Sequence, residues 1–397
     1  MKILMLTPYL PYPLLSGGQI RTYNLLKKMA KLHEITLFSL IKNDEEKQYI
    51  KELEKYCHKV RVFKRSTKPF TVKNILRTAF STYPFLVIRN HVGQVIDAIR
   101  EELASDNYDL IHAETFYMMP HIPQTNIPVI LVEQTIEYLG YESFAQNIKL
   151  KFLRPLLNID IKKIKYWEKY YWRNCDQLVT MSEEDKTFIQ KEIGHKTPIS
   201  VVANGVDTSW FAQKKFAKRK TPTLLSVGTF KWLPNVEAVQ FLVQKVWPLI
   251  KAKRPDVKLW IVGNAPTPQI LNYAHHDTQI EVSGRVPDIR EAFSGAHILL
   301  APVFSGKGTR YKILEAMASG TPIIATSIAV EGLGVKNGEE VLIANQAEEI
   351  AQTTLNLLEN ESLQKKLSHQ GQTFVRQNFD WDLIAKKLDE VYLSLGK

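Results

Sequence analysis

The sequence predicts an α/β protein with two doubly wound, Rossmann-like domains that face a deep cleft, and three observations support this prediction. Short apolar segments alternate with helical patterns along the chain. Most of these segments are apolar throughout, as expected for strands that are buried on both faces of a parallel sheet. The alternation stops once, in the basic and unpatterned stretch after Asn204, and then starts again. We therefore place a linker there and predict one domain on each side of it.

The first domain is predicted from the segments that precede this linker. The predicted strands are KILMLTP, EITLFSL, KVRVFK, DLIHAE, PVILVE, DQLVTM and ISVVAN. After the first strand, four apolar residues have helical spacing and predict the inward face of a helix: Ile20, Tyr23, Leu26 and Met29. Ser182, with Glu183 and Asp185 after it, predicts the start of another helix.

The second domain follows the same pattern. Its predicted strands are TLLSVG, VKLWIVG, IEVSG, HILLAP and TPIIAT. Helices are predicted from Asn235 to about Ala252, near Asp288, and from about Ala347 onward. The predicted domains span residues 1–205 and 206–378, and residues 379–397 are predicted to form a last helix that packs back toward the first domain.

The composition is that of a globular protein in a reducing compartment. Apolar residues make up 45% and charged residues 23% of the 397, which is normal for a soluble protein. Cys57 and Cys175 are too few for a disulfide framework and lack the spacing of metal ligands. Three prolines interrupt the apolar N-terminal segment, which argues against a signal peptide. No run approaches the roughly 18 apolar residues of a membrane span, so we expect a cytoplasmic protein.

The net charge of +11, from 52 basic and 41 acidic residues, indicates partners that carry phosphate. Nucleic acid, anionic lipid and phosphorylated small molecules all fit this charge. Residues 149–174 are especially basic and contain interleaved aromatic residues. This stretch predicts either a helix on an anionic membrane surface or a solvated helix whose aromatic side chains pack inward.

The stretch SGKGTRYKILEAMASGTPIIAT, residues 305–326, predicts a phosphate site. Glycines and basic residues precede a predicted helix that follows an apolar strand. The N-terminus of a helix presents unpaired N–H groups and a partial positive charge, and glycine lets an anion approach them closely. The alternative is an ordinary turn, but Lys307, Arg310 and Lys312 favour phosphate binding. Glu315, in an otherwise apolar part of this helix, is expected to meet a ligand because a buried lone carboxylate is unfavourable.

Ligands of doubly wound domains bind at the carboxyl ends of the strands. In the first domain these ends contain Gly17, Gly18 and several acids, whereas in the second they are rich in glycine and basic residues. The difference predicts that a phosphorylated ligand is held mainly by the second domain.

The motifs together resemble family-4 glycosyltransferases, the retaining enzymes of the GT-B architecture, over nearly the whole chain. The segments that carry the resemblance are LLSGGQIRTYNL, YDLIHAE, DQLVTMSEEDK, VVANGVDTSWF, LLSVGTFKWLPNVEAVQFL, LWIVG, SGRVPDI, ILLAPVFSGKGTRYKILEAMASGTPIIAT and FDWDLIAKKLDEVY. The resemblance implies that a nucleotide sugar binds mainly the second domain and the acceptor mainly the first.

The resemblance also implies roles for individual residues. Glu315 would hold the ribose hydroxyls, the amides of residues 308–311 the diphosphate, and residues 284–286 the base, while Gly17 and Gly18 would close over the phosphates. The donor-binding residues implied in this way are Gly17, Gly18, Gly228, Lys231, Arg285, Val286, Gly306, Lys307, Gly308, Thr309, Tyr311 and Glu315. Lys312, Arg310, Glu114 and His112 are the implied catalytic residues. Glu133, Glu137 and Tyr138 are candidates for the acceptor side.

The chain departs from the family pattern at several positions. Lys307 replaces the usual first acid of the family's Glu-seven-residues-Glu motif, and Thr229 and Pro234 replace two usual cations; Lys231, Arg310 and Lys312 are the available substitutes. Glu114 stands where many relatives have a histidine near the reacting sugar. We expect His112, two residues earlier, to project to the opposite face of the strand, and either residue could meet the sugar.

The predicted function is a retaining, metal-independent glycosyltransferase of cell-surface polysaccharide biosynthesis. The donor would be a UDP- or GDP-linked sugar, and the acceptor a glycan, a lipid-linked molecule or a small molecule. No cofactor and no nucleic acid is expected, and the cytoplasmic protein could also lie on the inner face of the plasma membrane. A nucleotide-sugar epimerase of the same architecture and a non-catalytic partner subunit are the alternatives.

Overall fold

The computed structural model of the protein describes residues 1–148, 152, 154–214, 216–305 and 311–396. The chain divides into two compact units. The first unit contains Met1–Ala203 and Ile384–Lys397, and the second contains Asn204–Leu383.

The first unit is built on a seven-stranded parallel sheet with the order β3-β2-β1-β4-β5-β6-β7. Its strands are β1 (Lys2–Thr7), β2 (Glu34–Ile41), β3 (Lys59–Lys64), β4 (Leu110–Glu114), β5 (Val129–Glu133), β6 (Gln177–Thr180) and β7 (Ile199–Val201). The helices between them are α1 (Gly17–Met29), α2 (Ile50–Leu53), α3 (Val72–Phe80), α4 (Phe85–Asn90), α5 (Gly93–Ser105), α6 (Glu137–Asn147), α7 (Arg154–Arg173) and α8 (Glu183–Ile193). Short 3₁₀ helices cover Asp44–Tyr49 and Phe116–His121.

The apolar strands of this sheet are buried on both faces, as the sequence predicts. Ser182 caps α8 by accepting a hydrogen bond from the Asp185 amide, which confirms the predicted helix start. The predicted inward face of α1 is partly wrong, because Ile20 and Tyr23 are only half-buried while Arg21 is buried. Arg21 can lie inside because its guanidinium donates to the carbonyl of Ala203 at 2.7 Å.

The second unit repeats the architecture with a six-stranded parallel sheet in the order β10-β9-β8-β11-β12-β13. The strands are β8 (Thr223–Val227), β9 (Lys258–Val262), β10 (Ile280–Gly284), β11 (Ile298–Ala301), β12 (Ile323–Ala325) and β13 (Leu342–Ile343). The helices are α9 (Thr208–Gln213), α10 (Leu233–Phe241), α11 (Trp247–Lys253), α12 (Pro268–His276), α13 (Ile289–Gly295), α14 (Tyr311–Ser319), α15 (Ala347–Glu359) and α16 (Glu361–Asn378). A 3₁₀ turn covers Ser327–Val330.

The helix that the sequence predicts from Asn235 to about Ala252 is interrupted. A π-helical turn, Leu242–Val246, separates α10 from α11, and the amide of Trp247 bonds five residues back to the carbonyl of Leu242. Pro248 follows and has no N–H to continue the regular ladder. The interruption therefore coincides with a residue that α-helical bonding does not tolerate well.

A last helix, α17 (Trp381–Leu395), returns the chain to the first unit from Ile384 onward. Its Tyr392 is fully buried, and His33 of the first unit lies 2.7 Å from Asp389. Of the helices in the described ranges, none is both long enough and apolar enough to cross a bilayer.

Candidate functional site

The second unit has a topological switch point at β8. Strands β9 and β11 lie on either side of β8, so the connections that leave the carboxyl ends of β8 and β11 run to opposite faces of the sheet. A crevice at such a switch point is the usual ligand site of an open α/β sheet. The loop Gly228–Trp232 after β8 and the start of α14 after β11 both lie at this edge.

Three glycines end neighbouring strands there and bring the backbone segments close together. Gly263 donates its N–H to the carbonyl of Gly284 at 2.7 Å, and Gly228 donates to the carbonyl of Val262 at 3.1 Å. A Cβ atom on Gly263 would lie 1.6 Å from the carbonyl oxygen of Gly228. Gly284 adopts φ of +60°, which glycine accepts at no steric cost. The edge is therefore built from closely approaching backbone.

Lys312, the predicted phosphate cation, is held in place by a residue of the first turn of α10. Its Nζ donates to Asn235 Oδ1 at 2.9 Å, and Asn235 Nδ2 donates to the carbonyl of Thr229 at 2.9 Å. The Asn235 side chain also occupies the space beside Gly228, where a Cβ atom would lie 2.8 Å from its Cγ. Asn235 thus connects the loop after β8 to the first turn of α14.

Glu315 lies one turn after Lys312 on α14. Burial raises the pKa of Glu315 to about 7, and the positive charge of Lys312 acts in the opposite direction. The two side chains therefore interact electrostatically, in agreement with their predicted placement three residues apart on one helical face. A carboxyl group that ionises near neutrality can accept hydrogen bonds from a pair of ligand hydroxyls once it is deprotonated.

The remaining predicted donor residues fall into two groups. Lys231 and Arg285 are exposed at the ends of β8 and β10, Val286 is half-buried, and Tyr311 begins α14. Gly306, Lys307, Gly308, Thr309 and Arg310 lie outside the described residues. The roles given to these five residues stay predictions.

In the first unit, the carboxyl ends of β4 and β5 carry a buried chain of hydrogen-bonded side chains. Tyr392 Oη lies 2.7 Å from His112 Nδ1, and His112 Nε2 lies 3.2 Å from Glu114 Oε1. Gln134 Nε2 donates to Glu114 Oε2 at 2.6 Å, and Tyr9 Oη donates to Gln134 Oε1 at 3.0 Å. The chain of contacts links α17 to the loop that precedes α1.

The expectation that His112 and Glu114 project to opposite faces of the strand is wrong. Side chains two residues apart on a β-strand point to the same face, and these two side chains are in direct contact. They therefore form one hydrogen-bonded pair and are not two competing candidates for contact with the sugar.

The hydrogen bonds assign proton positions along this chain. Burial keeps Tyr392 protonated by raising its pKa well above the usual value, so its hydroxyl can donate to His112 Nδ1. His112 then carries its proton on Nε2 and donates it to Glu114. Burial opposes ionisation of Glu114, but the bond from His112 and the charge of Arg21 outweigh it and lower the pKa of Glu114. Glu114 is thus a buried carboxylate stabilised by directed donors.

Gly17 and Gly18 form the first turn of α1, after the N-cap residue Ser16. A Cβ atom on Gly18 would lie 2.2 Å from Tyr9 Oη and 2.5 Å from Gln134 Oε1. The glycine therefore lets the N-terminus of α1 approach the end of the hydrogen-bonded chain.

The three acceptor-side candidates differ in burial. Tyr138 is packed in the core against Trp172, and Glu133 is buried with Oε1 accepting from the indole of Trp172 at 3.1 Å. Glu137 is half-buried, and burial raises its pKa to about 7. Of the three, Glu137 has the side chain that remains partly accessible to a ligand.

A further carboxyl group, that of Glu168 on α7, contacts this region from below α6. It accepts hydrogen bonds from the amides of Glu137 at 2.7 Å and Tyr138 at 3.1 Å, and so caps the N-terminus of α6. Burial and the nearby charge of Glu168 raise the pKa of Glu133 well above its usual value. Glu168 therefore has a structural role at the N-terminus of α6, and Glu133 lies close to it.

Profiles of two known families match the chain. "Glycosyltransferase Family 4" matches residues 15–210, and "Glycosyl transferases group 1" matches residues 221–360. The first range lies mainly in the first unit and the second range in the second unit, and together they cover most of the chain. The protein belongs to the family-4, group 1 glycosyltransferases.

Individual relatives of this glycosyltransferase are distant in sequence. It is 23% identical over 391 residues to an uncharacterised 44.6 kDa protein in the cps region of Klebsiella pneumoniae, with 96% of each chain covered. Sucrose-phosphate synthase from Thermosynechococcus elongatus superposes with a TM-score of 0.71 at 17% identity, covering 100% of this chain and 99% of that one. The Anabaena protein HepE in complex with UDP-glucose gives a TM-score of 0.68 at 17% identity, covering 99% and 100%. These likenesses show that the fold is GT-B.

Several residues of the glycosyltransferase that the sequence does not single out lie at the two edges. Asn235, Gln134 and Tyr392 each bond to a predicted site residue, but none of them is itself predicted as one. Asn235 follows a proline at the start of a predicted helix, and Gln134 follows a strand end directly, so position alone gives a weak signal. Tyr392 ends the segment FDWDLIAKKLDEVY, but its contact with His112 could not be predicted because the two residues are 280 positions apart.

Proposed function

We propose that this glycosyltransferase moves a sugar from a UDP- or GDP-linked donor to an acceptor with retention of anomeric configuration and without a metal. The observation that carries the proposal is the arrangement at the switch point of the second unit. There, Lys312 is oriented by Asn235, and Glu315 follows one turn later beside glycine-lined strand ends. This combination suits a ligand with phosphate at one end and a diol at the other.

Lys312 is proposed to act on the leaving group. As the bond between the anomeric carbon and the diphosphate breaks, negative charge grows on the diphosphate oxygen. A cation that is already oriented stabilises this charge without reorganisation. Glu315 is proposed to accept hydrogen bonds from the ribose hydroxyls, which change little during the reaction. The UDP-glucose complex of HepE supports a donor of this class.

The first unit is proposed to meet the sugar and the acceptor. Glu114, which His112 and Gln134 orient, is the candidate for contact with the transferred sugar, and Glu137 is the candidate for contact with an acceptor hydroxyl. The acceptor is proposed to be a glycan, a lipid-linked molecule or a small molecule of cell-surface polysaccharide biosynthesis. The reaction would take place in the cytoplasm or on the inner face of the plasma membrane.

Thermal denaturation with nucleotides tests the proposal. UDP or GDP at one hundred times its dissociation constant should stabilise the protein by about 2.7 kcal/mol, and Lys312→Ala should weaken this response. Lys245→Ala, at an exposed lysine of the π-helical turn, is the matched control and should respond like the wild type. No stabilisation by UDP, GDP, TDP or ADP at millimolar concentration would contradict nucleotide-sugar binding.

The reaction products separate the remaining alternatives. A retaining transferase should slowly hydrolyse its donor without acceptor and release the sugar with the donor's anomeric configuration, which NMR can follow. An epimerase would instead return a nucleotide sugar of changed configuration. A non-catalytic partner subunit would bind the nucleotide sugar and leave it intact.

A further inference from the structure

Helix α3 in the first unit has its polar side turned toward the protein and its apolar side toward solvent. Five residues recur at the spacing of one helical face and are all exposed, and we call them the apolar face: Val72, Ile75, Leu76, Ala79 and Phe80. Val72 is 73% exposed and Phe80 90%. The buried residue of α3 is the polar Asn74. A surface helix of a globular protein normally has the reverse orientation.

Directed hydrogen bonds hold α3 in this orientation. Asn74 Nδ2 donates to the carbonyl of Pro69, in the segment just before α3, at 2.9 Å. Lys163 of α7 donates to the carbonyls of Thr78 and Ser81 at 2.7 Å each. These carbonyls lie at the C-terminal end of α3, where a cation is most favourable. These hydrogen bonds hold the polar side of α3 against the protein, so the apolar face is exposed to solvent.

The sequence around α3 is basic, although acids from other segments pair with some of its cations, as Asp44 does with Lys64 and Glu102 with Lys59. Residues 55–96 contain no Asp or Glu. The basic residues of this range are Lys55, Lys59, Arg61, Lys64, Arg65, Lys68, Lys73, Arg77 and Arg89. Lys73 and Arg77 on α3 itself are exposed, as is Lys68 before it, whereas the exposed Lys64 is paired with Asp44. Basic side chains beside an exposed apolar stripe match the chemistry of an anionic bilayer surface.

The exposed apolar surface extends onto the first half of α7. Ile159 is exposed and lies one turn before Lys163, on the side of α7 that contacts α3. In the second half, Tyr171 and Trp172 are buried, although Tyr166 is exposed. The membrane-binding surface that the sequence predicts for residues 149–174 as a whole is therefore placed on α3 and the start of α7 instead. Residues 149–151 and 153 lie outside the described ranges.

We infer that the apolar face of α3 docks onto an anionic lipid bilayer, with the helix axis in the plane of the headgroups. Val72 and Phe80 enter the acyl region, and Lys73 and Arg77 meet lipid phosphates. The inference deepens the proposed function, because it names the surface on which a lipid-linked acceptor would be reached. Vesicle binding is measured without donor or acceptor, so its failure and a failure of nucleotide-sugar binding are distinguishable.

Sedimentation with vesicles tests the apolar contribution. The wild type should bind mixed phosphatidylglycerol–phosphatidylcholine vesicles, and Phe80→Ser should lower the partition coefficient about tenfold, since a large apolar side chain no longer leaves water. Leu271→Ser is the matched control, because Leu271 of α12 is an exposed apolar helical residue of the second unit, and it should bind like the wild type. Binding by Phe80→Ser equal to that of the wild type would overturn the inference.

The electrostatic contribution is tested separately. Lys73→Glu with Arg77→Glu should weaken binding at low salt, and high salt should weaken wild-type binding, because mobile ions screen surface attraction. Lys253→Glu, at an exposed lysine of α11, should have little effect. Equal binding of the wild type to pure phosphatidylcholine vesicles would remove the role of lipid charge and contradict the inference.

A fluorescent reporter locates the inserted residue. Both native cysteines are buried, so Phe80→Cys provides one accessible thiol for a polarity-sensitive dye. The emission should shift to the blue when anionic vesicles are added, whereas a dye on Leu271→Cys should not respond. If the protein instead forms a dimer without lipid that Phe80→Ser dissociates, and no vesicle binding occurs, the apolar face is a protein interface and the inference is wrong.

Discussion

At the carboxyl ends of β4 and β5 in the first unit, the polar side chains are buried and paired with one another, whereas the corresponding edge of the second unit consists of glycine backbone and cations. His112 and Glu114 are enclosed between Tyr392 and Gln134. In the second unit, Gly228 and Gly263 let the backbone of neighbouring strand ends approach closely, and Asn235 links the loop at Gly228 to Lys312. One fold thus supports a pre-organised acid–histidine pair in one unit and the proposed anion site in the other.

The comparison shows how burial and charge divide the work. A buried carboxylate such as Glu114 keeps its charge because donors surround it, so its position is tightly specified. A backbone site has no side-chain charge of its own and depends on neighbouring cations such as Lys312. Substitutions in the second unit should therefore act on the packing of its strand ends and on catalysis, and those in the first unit on the stability and orientation of the buried pair.

The largest effect is expected from adding a side chain where the strand ends of the second unit approach each other most closely. Gly263→Ala places a Cβ atom 1.6 Å from the carbonyl oxygen of Gly228, and because backbone must move, we expect a loss of about 3 kcal/mol in unfolding free energy. Gly140→Ala on α6 is the control, since a Cβ atom there meets nothing within 4 Å, and it should be neutral or stabilising. Denaturant unfolding measures both, and equal stabilities would refute the close packing of the strand ends.

Loss of the oriented cation should be the next largest effect. Lys312→Ala should lower kcat by about 10²-fold, equivalent to about 2.7 kcal/mol, because charge on the leaving diphosphate loses a stabilising donor. Asn235→Ala should lower kcat less, since Lys312 remains but loses its hydrogen-bond partner. Steady-state kinetics on variants of confirmed fold decide the matter. Full turnover of Lys312→Ala with loss of turnover in Lys231→Ala would assign the cation to the loop after β8 instead.

In the first unit, a substitution in the buried hydrogen-bonded chain should lower the stability of the protein without changing donor binding. Tyr392→Phe removes the buried donor to His112 Nδ1, and an unsatisfied buried nitrogen should reduce the unfolding free energy by about 2 kcal/mol. The donor KM should not change. Tyr273→Phe is the control, because that hydroxyl has exposed glutamine partners. A change in donor KM without loss of stability would show that the pair acts on the donor and not through local structure.

The smallest effect concerns Glu315 and depends on pH. Glu315→Gln should raise the donor KM about tenfold, about 1.4 kcal/mol, with kcat nearly unchanged. Since the pKa of Glu315 is about 7, the wild-type donor KM should fall as the pH rises from 6 to 8 and the carboxylate forms. The Glu315→Gln variant should not show this pH dependence of the donor KM.

Stability gives an independent check on Glu315. The folded-state pKa lies above the usual value of a glutamate, so the folded protein binds this proton more tightly. The stabilisation is present at low pH and is lost as the pH rises toward 7. Glu315→Gln should reduce the fall in Tm over that window. An unchanged pH profile would contradict the burial of this carboxyl group.

Local patterns made much of the fold predictable. The apolar segments around Ile3 and Leu299 could be recognised as strands of a parallel sheet, because a strand that is covered on both faces is apolar throughout. The signal for the helix start at Ser182 is contained within four residues. The strand Leu342–Ile343 was not predicted, because two residues give no periodicity. Asp288 caps α13, as expected for a short helix at that position.

The candidate site was less predictable, because its contacts join distant parts of the chain. The sequence identified Lys312 and Glu315 from their position near a helix start, but the bond from Lys312 to Asn235 spans 77 residues. The placement of His112 and Glu114 on opposite faces was an error in strand periodicity. The reversed orientation of α3 could not be inferred either, since the same pattern ordinarily buries Ile75 and Phe80.

The return of α17 to the first unit has a consequence for how the polypeptide folds during translation. The ribosome must synthesise all of Asn204–Leu383 before Ile384 and the residues after it are available to complete the first unit. Until Tyr392 arrives, the space beside His112 stays open, and the N-terminal unit is an incomplete intermediate. Vectorial synthesis usually lets an N-terminal domain finish folding first. Here the later unit is the one whose chain is continuous, so it can complete its fold before its predecessor.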